Sequence, residues 1–316
     1  MKVLGIGESV IDKVVRIDGE VPKNFDAKGL HSEKHVGGPV LIAMIILARM
    51  GIACTYMTSV GRDKDADLIH SLMRHENVRL LPKYQHKTKI NTMVINKRTG
   101  QRVKLRGSIQ HDSIKDISRN FLHQFDLIII DRHEQKAFYE ILKKKKASTK
   151  IIIDPSTEIS KFTLDMIKHA DYPIIPIETV TPSFTGSLNN IDHVLRRLYE
   201  WSKKPLIITA GDIGSFIFNG ETADLLPPLP VKTVDTTGAG DIYRGAFAYG
   251  VLQGWDLKKT ARFSNIVAAL QCTKLGNAAA IPTKQEIMKN HKILLEGKSL
   301  TSCTLNNICL QLQDKL

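Results

Sequence analysis

Residues Asp235-Thr236-Thr237-Gly238-Ala239-Gly240-Asp241 hold the types and spacing best suited to chemistry in this chain. A turn of small residues that feeds a helix start leaves backbone N–H groups without intrahelical partners, aimed along the positive end of the helix dipole. Such a turn is an anion site suited to phosphate, and its glycines let the backbone approach a ligand closely. Asp241 needs a separate reason, because a carboxylate beside a phosphate cradle repels the ligand. Its simplest reactive role is to take the proton of a hydroxyl that attacks phosphorus. The competing role is an N-cap, which Asp fills readily.

The elements that must position this turn are legible on either side. A β-branched run ends at Val234, and an apolar helical pattern spans Ile242–Leu252. Upstream, short apolar runs predict strands at Val3–Ile6, Thr55–Val60, Leu127–Ile130, Ile151–Ile153, Pro173–Ile175 and Leu206–Thr209. Helical patterns lie between most of them, at Val40–Met50, Ala66–Arg74, Gln135–Lys144, Leu164–His169 and Ile191–Trp201. Alternating β and α with fully apolar strands predicts an α/β fold, a mainly parallel sheet with helices on both faces. Two more helices are expected at Leu257–Leu275, with Gly276 as its C-cap, and at Lys284–His291.

Two segments break the alternation. Lys13–Val36 is polar and extended, and Lys87–Arg106 holds two alternating runs around a turn at Thr99–Gly100, a hairpin signal. Strands inserted into an α/β domain often form a lid over the site. The organisation expected is one large domain over residues 1–290, with lid strands at about 13–36 and 87–107, and a peripheral tail at 291–316.

Composition narrows the functional classes. A chain of 316 residues with 42% hydrophobic content can build a large core. The longest apolar run, Val40–Met50, is interrupted by Arg49 and reads as a buried helix rather than a membrane span. Cys54, Cys272, Cys303 and Cys309 are far apart and lack zinc-site spacing. With an opening KVLGI that reads as a strand rather than a leader, they point to a cytoplasmic protein. The net charge of +13 raises a nucleic-acid role, but the Lys and Arg are scattered outside Lys143–Lys146, and no basic–aromatic interleaving is visible. No nucleic-acid or membrane partner is therefore expected.

DTTGAGD followed by an aromatic, then Gly245 and Ala246, resembles the signature of the ribokinase/PfkB carbohydrate kinases. The resemblance implies a ribokinase-like fold with a small β-strand lid, ATP and magnesium as cofactors, and a small sugar as substrate; a monovalent cation is left open. Asp241 would be the catalytic base, with Gly238, Ala239 and Gly240 as anion hole. GIGESVID matches the family's first strand and turn, which implies that Asp12 binds substrate hydroxyls; alone, a turn-forming Asp is an equal reading. Asp26, in the lid segment, is a second acceptor candidate. Gly37 and Gly38, preceding the helix that ends at LARMG, match the glycine pair under the sugar. Thr209, Gly211 and Gly214 match the segment that lines the nucleotide, while Asn265, Ala268 and Cys272 fall on the helix packed against adenine, where ordinary helix packing is the simpler reading of each. Val60-Gly61-Arg62-Asp63 matches a structural turn. Gly5-x-Gly7 lacks the third glycine of a dinucleotide fingerprint, since Val10 stands there.

The chain departs from the family in two places. Ile42 and Pro39 stand where members place asparagines, and Ile177–Val180 lacks the family's N-x-x-E, so the metal contacts are unassigned. The Lys87–Arg106 hairpin looks closer to ketohexokinase-like members. Alternatives are a nucleoside kinase and a catalytically silent ligand-binding or regulatory protein on the same fold. The lid strands offer exposed edges through which a homodimer could pair.

Overall fold

The structure is a computed structural model that describes residues 1–17, 32–96, 102–108, 112–156, 159–180, 191–276, 278–295 and 302–303. In chain order its elements are β1 (Lys2–Ile6), β2 (Val10–Ile17), β3 (Ser32–Gly37), α1 (Pro39–Arg49), β4 (Ala53–Val60), α2 (Lys64–His75), β5 (Arg79–Tyr84), β6 (Lys89–Asn96) and β7 (Arg102–Leu105). There follow α3 (Arg119–Leu122), β8 (Leu127–Asp131), α4 (Gln135–Lys144), β9 (Lys150–Asp154), α5 (Lys161–His169), β10 (Tyr172–Pro176), α6 (Ile177–Val180) and α7 (Ile191–Ser202). The last group is β11 (Leu206–Thr209), β12 (Ser215–Phe218), β13 (Ala223–Leu226), α8 (Ala239–Leu252), α9 (Leu257–Cys272), α10 (Lys284–Leu295) and β14 (Ser302–Cys303).

Among the described residues the main sheet runs β14-β13-β12-β11-β10-β9-β8-β1-β4-β5. The stretch from β5 to β11 is parallel, and β12, β13 and β14 add on antiparallel. Its strands are apolar at consecutive positions because each face covers a separate core. Val3, Ile129, Ile152, Ile174 and Ile207 join the core under α1, α2, α8 and α9. Their neighbours Leu4, Ile128, Ile130, Ile151, Ile153, Ile175, Leu206 and Ile208 join the core under α4, α5 and α7. The glycines of Gly5-x-Gly7 serve this packing: a Cβ on Gly5 would lie 2.7 Å from Met44 Cγ and one on Gly7 2.7 Å from Val40 Cγ2, so α1 lies directly across β1.

The second sheet, β3-β2-β6-β7, comes from the segments that broke the βα alternation. β2 pairs antiparallel with β3 and parallel with β6, and β6 pairs antiparallel with β7. Register sets Asp12 opposite His35 and Asn91, and Met93 opposite Lys104. Asp12 thus lies within a strand, not in the turn after β1. The expected turn at Thr99–Gly100 lies outside the described residues.

Several boundaries differ from the sequence reading. The run ending at Val234 is no strand; Val234 N–H donates to the Cys272 carbonyl at 2.7 Å. The helix expected to reach Leu275 stops at Cys272, and its C-cap is Thr273 rather than Gly276. The tail contributes β14 to the main sheet's edge. The Lys143–Lys146 run closes α4: Lys144 Nζ donates to the Ile117 carbonyl at 2.9 Å and Lys145 Nζ to the Thr149 carbonyl at 2.7 Å. No helix among the described residues is long and apolar enough to cross a membrane.

Candidate active site

The loop before α8 is shaped by the carboxylate that opens its motif. Asp235 accepts from Thr237 N–H at 2.9 Å through one oxygen and from Gly276 N–H at 3.1 Å through the other. Gln271 Nε2 donates to the carbonyls of Thr237 and Gly276, each at 3.2 Å. The loop is therefore fastened to the end of α9, which also explains why that helix stops early. Gly238 takes φ 82°, the left-handed region that glycine enters without penalty, and α8 begins at Ala239. Its Ala239–Asp241 amides occupy the first turn, the geometry of an anion cradle.

Asp241 is in that first turn, but Gly238 is the N-cap, and no side chain caps this helix. The capping reading of Asp241 is therefore corrected. Its carboxylate faces Arg244 Nη1 at 3.4 Å, and Arg244 Nη2 reaches Asp154 Oδ1 at 2.9 Å. Burial, reinforced by the Asp154 charge, pushes the Asp241 carboxyl up to about 7; Arg244 and Lys104 act in the opposite direction, and Asp12 adds to the rise. A carboxylate poised near neutral pH suits a general base.

On the small sheet, Asp12 is buried and accepts from Asn91 Nδ2 at 3.1 Å. Lys104 Nζ lies 3.5 Å from the same oxygen. Asn91 was not anticipated; its only signal was one polar residue on the face that carries Met93 and Ile95. Arg244 and Asp154 were also missed, although an arginine inside an apolar helix pattern was a visible irregularity. Gly37 ends β3, and Gly38 has φ 135° where a Cβ would collide with the Glu8 carbonyl, so this approach needs glycine. Ile42 is fully buried in the core under α1 rather than facing ligand. Asp26 lies outside the described residues.

At the other end of the main sheet, Thr209 ends β11 and a short turn at Gly211–Ile213 leads into β12. Gly211 has open space where a Cβ would stand, whereas a Cβ on Gly214 would collide with the Leu226 carbonyl. Asn265 is buried, and its amide donates to the Leu226 carbonyl at 2.6 Å, which is packing chemistry rather than ligand contact. Ala268 packs against the core, and Cys272 acts through its carbonyl on Val234 and Asp235. Among the described residues no cluster of three or more His, Cys, Asp or Glu has metal-site geometry. A magnesium ion carried on phosphates needs only one or two protein carboxylates, so this does not conflict with a metal–nucleotide complex.

A cavity of about 340 Å³ separates the small sheet from the loop before α8. Asp12, Val14, Arg16, His35, Met93 and Ile95 form one wall, and residues Thr233–Thr237 with Leu275 and Gly276 the other.

A doubly covered, mainly parallel sheet with a second, smaller sheet is the ribokinase-like fold. The chain belongs to the pfkB family of carbohydrate kinases, whose sequence profile matches residues 2–284. Ribokinase of Lactococcus lactis is 31% identical over 150 residues, which span 48% of each chain. The solved structure of Thermotoga maritima ribokinase superposes with a TM-score of 0.79 at 22% identity, covering 93% of this chain and 99% of that one. Arabidopsis thaliana ribokinase complexed with ribose and ATP gives a TM-score of 0.79 at 18% identity, over 94% and 99%. The family makes this chain an ATP-dependent carbohydrate kinase.

Proposed function

We propose that the protein transfers the terminal phosphoryl group of ATP to a hydroxyl of a small sugar or sugar-like metabolite, with Asp241 as general base. The observation that carries this reading is the placement of Asp241: first turn of α8, carboxylate not spent on capping, proton affinity near neutrality. ATP supplies the phosphoryl group, and magnesium neutralises charge on it. The amides of Gly238, Ala239 and Gly240 hold the phosphoryl oxygens. Asp12, steadied by Asn91, accepts from acceptor hydroxyls above Gly37 and Gly38. The nucleotide lies along Thr209–Gly214 and past Ala268 and Cys272 on α9. The small sheet is a lid whose closure over the cavity excludes water. Val103 and Leu105 are more than half exposed on β7, on the outer face of that sheet, and support pairing of two copies there.

A second reading is a nucleoside acceptor. Among polar wall residues such as Arg16, His35 and Thr236, the cavity carries an apolar patch of Val14, Met93, Ile95, Val234 and Leu275, against which a flat base could pack. A panel of sugars, sugar acids and nucleosides, assayed with magnesium-ATP for phosphoryl transfer and by thermal shift, decides. Turnover of a sugar supports the first reading and turnover of a nucleoside the second. Binding without transfer to any member assigns the chain to a silent ligand-binding role.

A further inference from the structure

Arg244 is buried, one turn along α8 from Asp241, and both of its terminal nitrogens are committed. Nη2 reaches Asp154 Oδ1 at 2.9 Å and Nη1 reaches Asp241 Oδ1 at 3.4 Å. Asp154 is itself fixed: it ends β9, is buried, and its Oδ1 also accepts from Ser156 N–H at 2.8 Å. A planar guanidinium held at one edge by an immobile carboxylate presents its other edge in a set direction. That edge also lies under the phosphate cradle, since a Cβ on Gly240 would stand 3.5 Å from Nη1. The cation between the buried Asp154 and the partly exposed Asp241 offsets part of the repulsion between the two carboxylates.

We infer that Arg244 is a positioning residue for phosphoryl transfer, anchored by Asp154 and setting both the direction and the proton affinity of the Asp241 carboxylate. The inference deepens the reading of Asp241 as the base. The charged groups facing Asp241 are Asp154 from the end of β9, Arg244 from α8, Lys104 from β7 and Asp12 from β2. The two nearest oppose each other: Arg244 favours the carboxylate and Asp154 disfavours it. Removing one or the other must therefore move the titration of Asp241 in opposite directions.

The test follows the Asp241 carboxyl by NMR in protein labelled with ¹³C at aspartate Cγ, the signal being assigned by its loss in Asp241→Asn. Neither ATP nor an acceptor is needed. Arg244→Gln is expected to raise the midpoint and Asp154→Asn to lower it, each by about one to three pH units. Arg244→Lys keeps the charge and is expected to stay nearer the native midpoint. Should Arg244→Gln fail to fold, Asp154→Asn and the uncharged double variant Arg244→Gln/Asp154→Asn still decide, the latter returning toward the native midpoint. An unmoved midpoint in Asp154→Asn, or shifts of the same sign in both single variants, overturns the inference. So does a more than tenfold loss of ADP affinity in Arg244→Lys by calorimetry, which puts the guanidinium on the nucleotide. If instead the midpoints move as expected while Asp241→Asn keeps full turnover, the assignment of the base fails and the effect of Arg244 on Asp241's proton affinity stands.

Discussion

Asn91 on β6 donates to Asp12 on β2 across a single rung of the small sheet, at 3.1 Å. The amide nitrogen fixes one carboxylate oxygen and aims the other, while the side-chain oxygen Asn91 Oδ1 accepts from Gly107 N–H at 3.2 Å. The orientation of Asp12 is thereby built into sheet register rather than left to a flexible loop.

Asp12→Ala is expected to raise the acceptor KM at least tenfold and leave the ATP KM nearly unchanged, since the proposed nucleotide site lies on the other side of the turn into α8. Asn91→Ala should give a smaller shift of the same kind. Steady-state kinetics with whichever acceptor the panel identifies checks both, and an unaltered acceptor KM in Asp12→Ala removes Asp12 from the site.

Asp241→Asn is expected to lower kcat by about 10²–10⁴-fold while ADP still binds. Stability should move the other way. The Asp241 proton is held more tightly in the folded state than in the unfolded chain, so stability from this group is lost as pH rises from the ordinary carboxyl range toward about 7. Removing the charge should raise the melting temperature at pH 8 and leave it little changed at pH 4. A variant less stable at pH 8 contradicts the burial argument.

Activity of the native protein should rise with pH through about 7, because only the carboxylate form of Asp241 accepts a proton. Lys104→Met removes a cation that favours that form and should shift the rise to higher pH. A profile of kcat against pH that is flat between 5.5 and 8.5, with chemistry rate-limiting, argues against the assignment.

Gly245→Ala should destabilise the fold by about 1–3 kcal/mol through overpacking. A Cβ at this position would collide with Ile46 Cγ2 and stand 2.8 Å from the Ala43 carbonyl, where α8 lies against α1. Denaturant unfolding measures the change, and a variant as stable as the native chain would show that the helices separate freely.

Asp63 ties the start of α2 to the start of β6, accepting from Ala66 N–H at 2.9 Å, Thr88 N–H at 2.8 Å and Thr88 Oγ1 at 2.7 Å. Burial alone would raise its carboxyl, but these hydrogen bonds outweigh it and hold the group below the usual range. Its contribution is present above the ordinary carboxyl range and is lost as pH falls through the lowered value. Asp63→Ala should cost about 1–2 kcal/mol at neutral pH, an N-cap effect. That difference should shrink on acidification, as paired unfolding curves can show.

The parallel sheet was legible because most of its buried strands, such as β8 and β9, are continuous apolar runs, and two opposed cores demand that pattern. The turn into α8 was legible because Gly238 and Gly240 sit within a few residues of Asp241 along the chain. Asp154 and Asn91 were hidden for the opposite reason: sheet order and strand register bring them toward Asp241 and Asp12 from far along the sequence, whereas Arg244 lies one turn from Asp241 on α8 and was a visible irregularity passed over. Ile42 looked like a lost ligand contact, yet it faces the core under α1, where its size is what packing requires. Asn265 looked like a nucleotide neighbour, but a buried amide must find partners, and the Leu226 carbonyl was nearest.

Asp12 rides on the small sheet and Asp241 on α8 of the main body, close enough for the Asp12 charge to act on the Asp241 carboxyl. On the proposed function, selection would reside in bridging. A molecule with hydroxyls at both ends would draw sheet and helix together, whereas solvent would engage one side at a time and leave the nucleotide unspent.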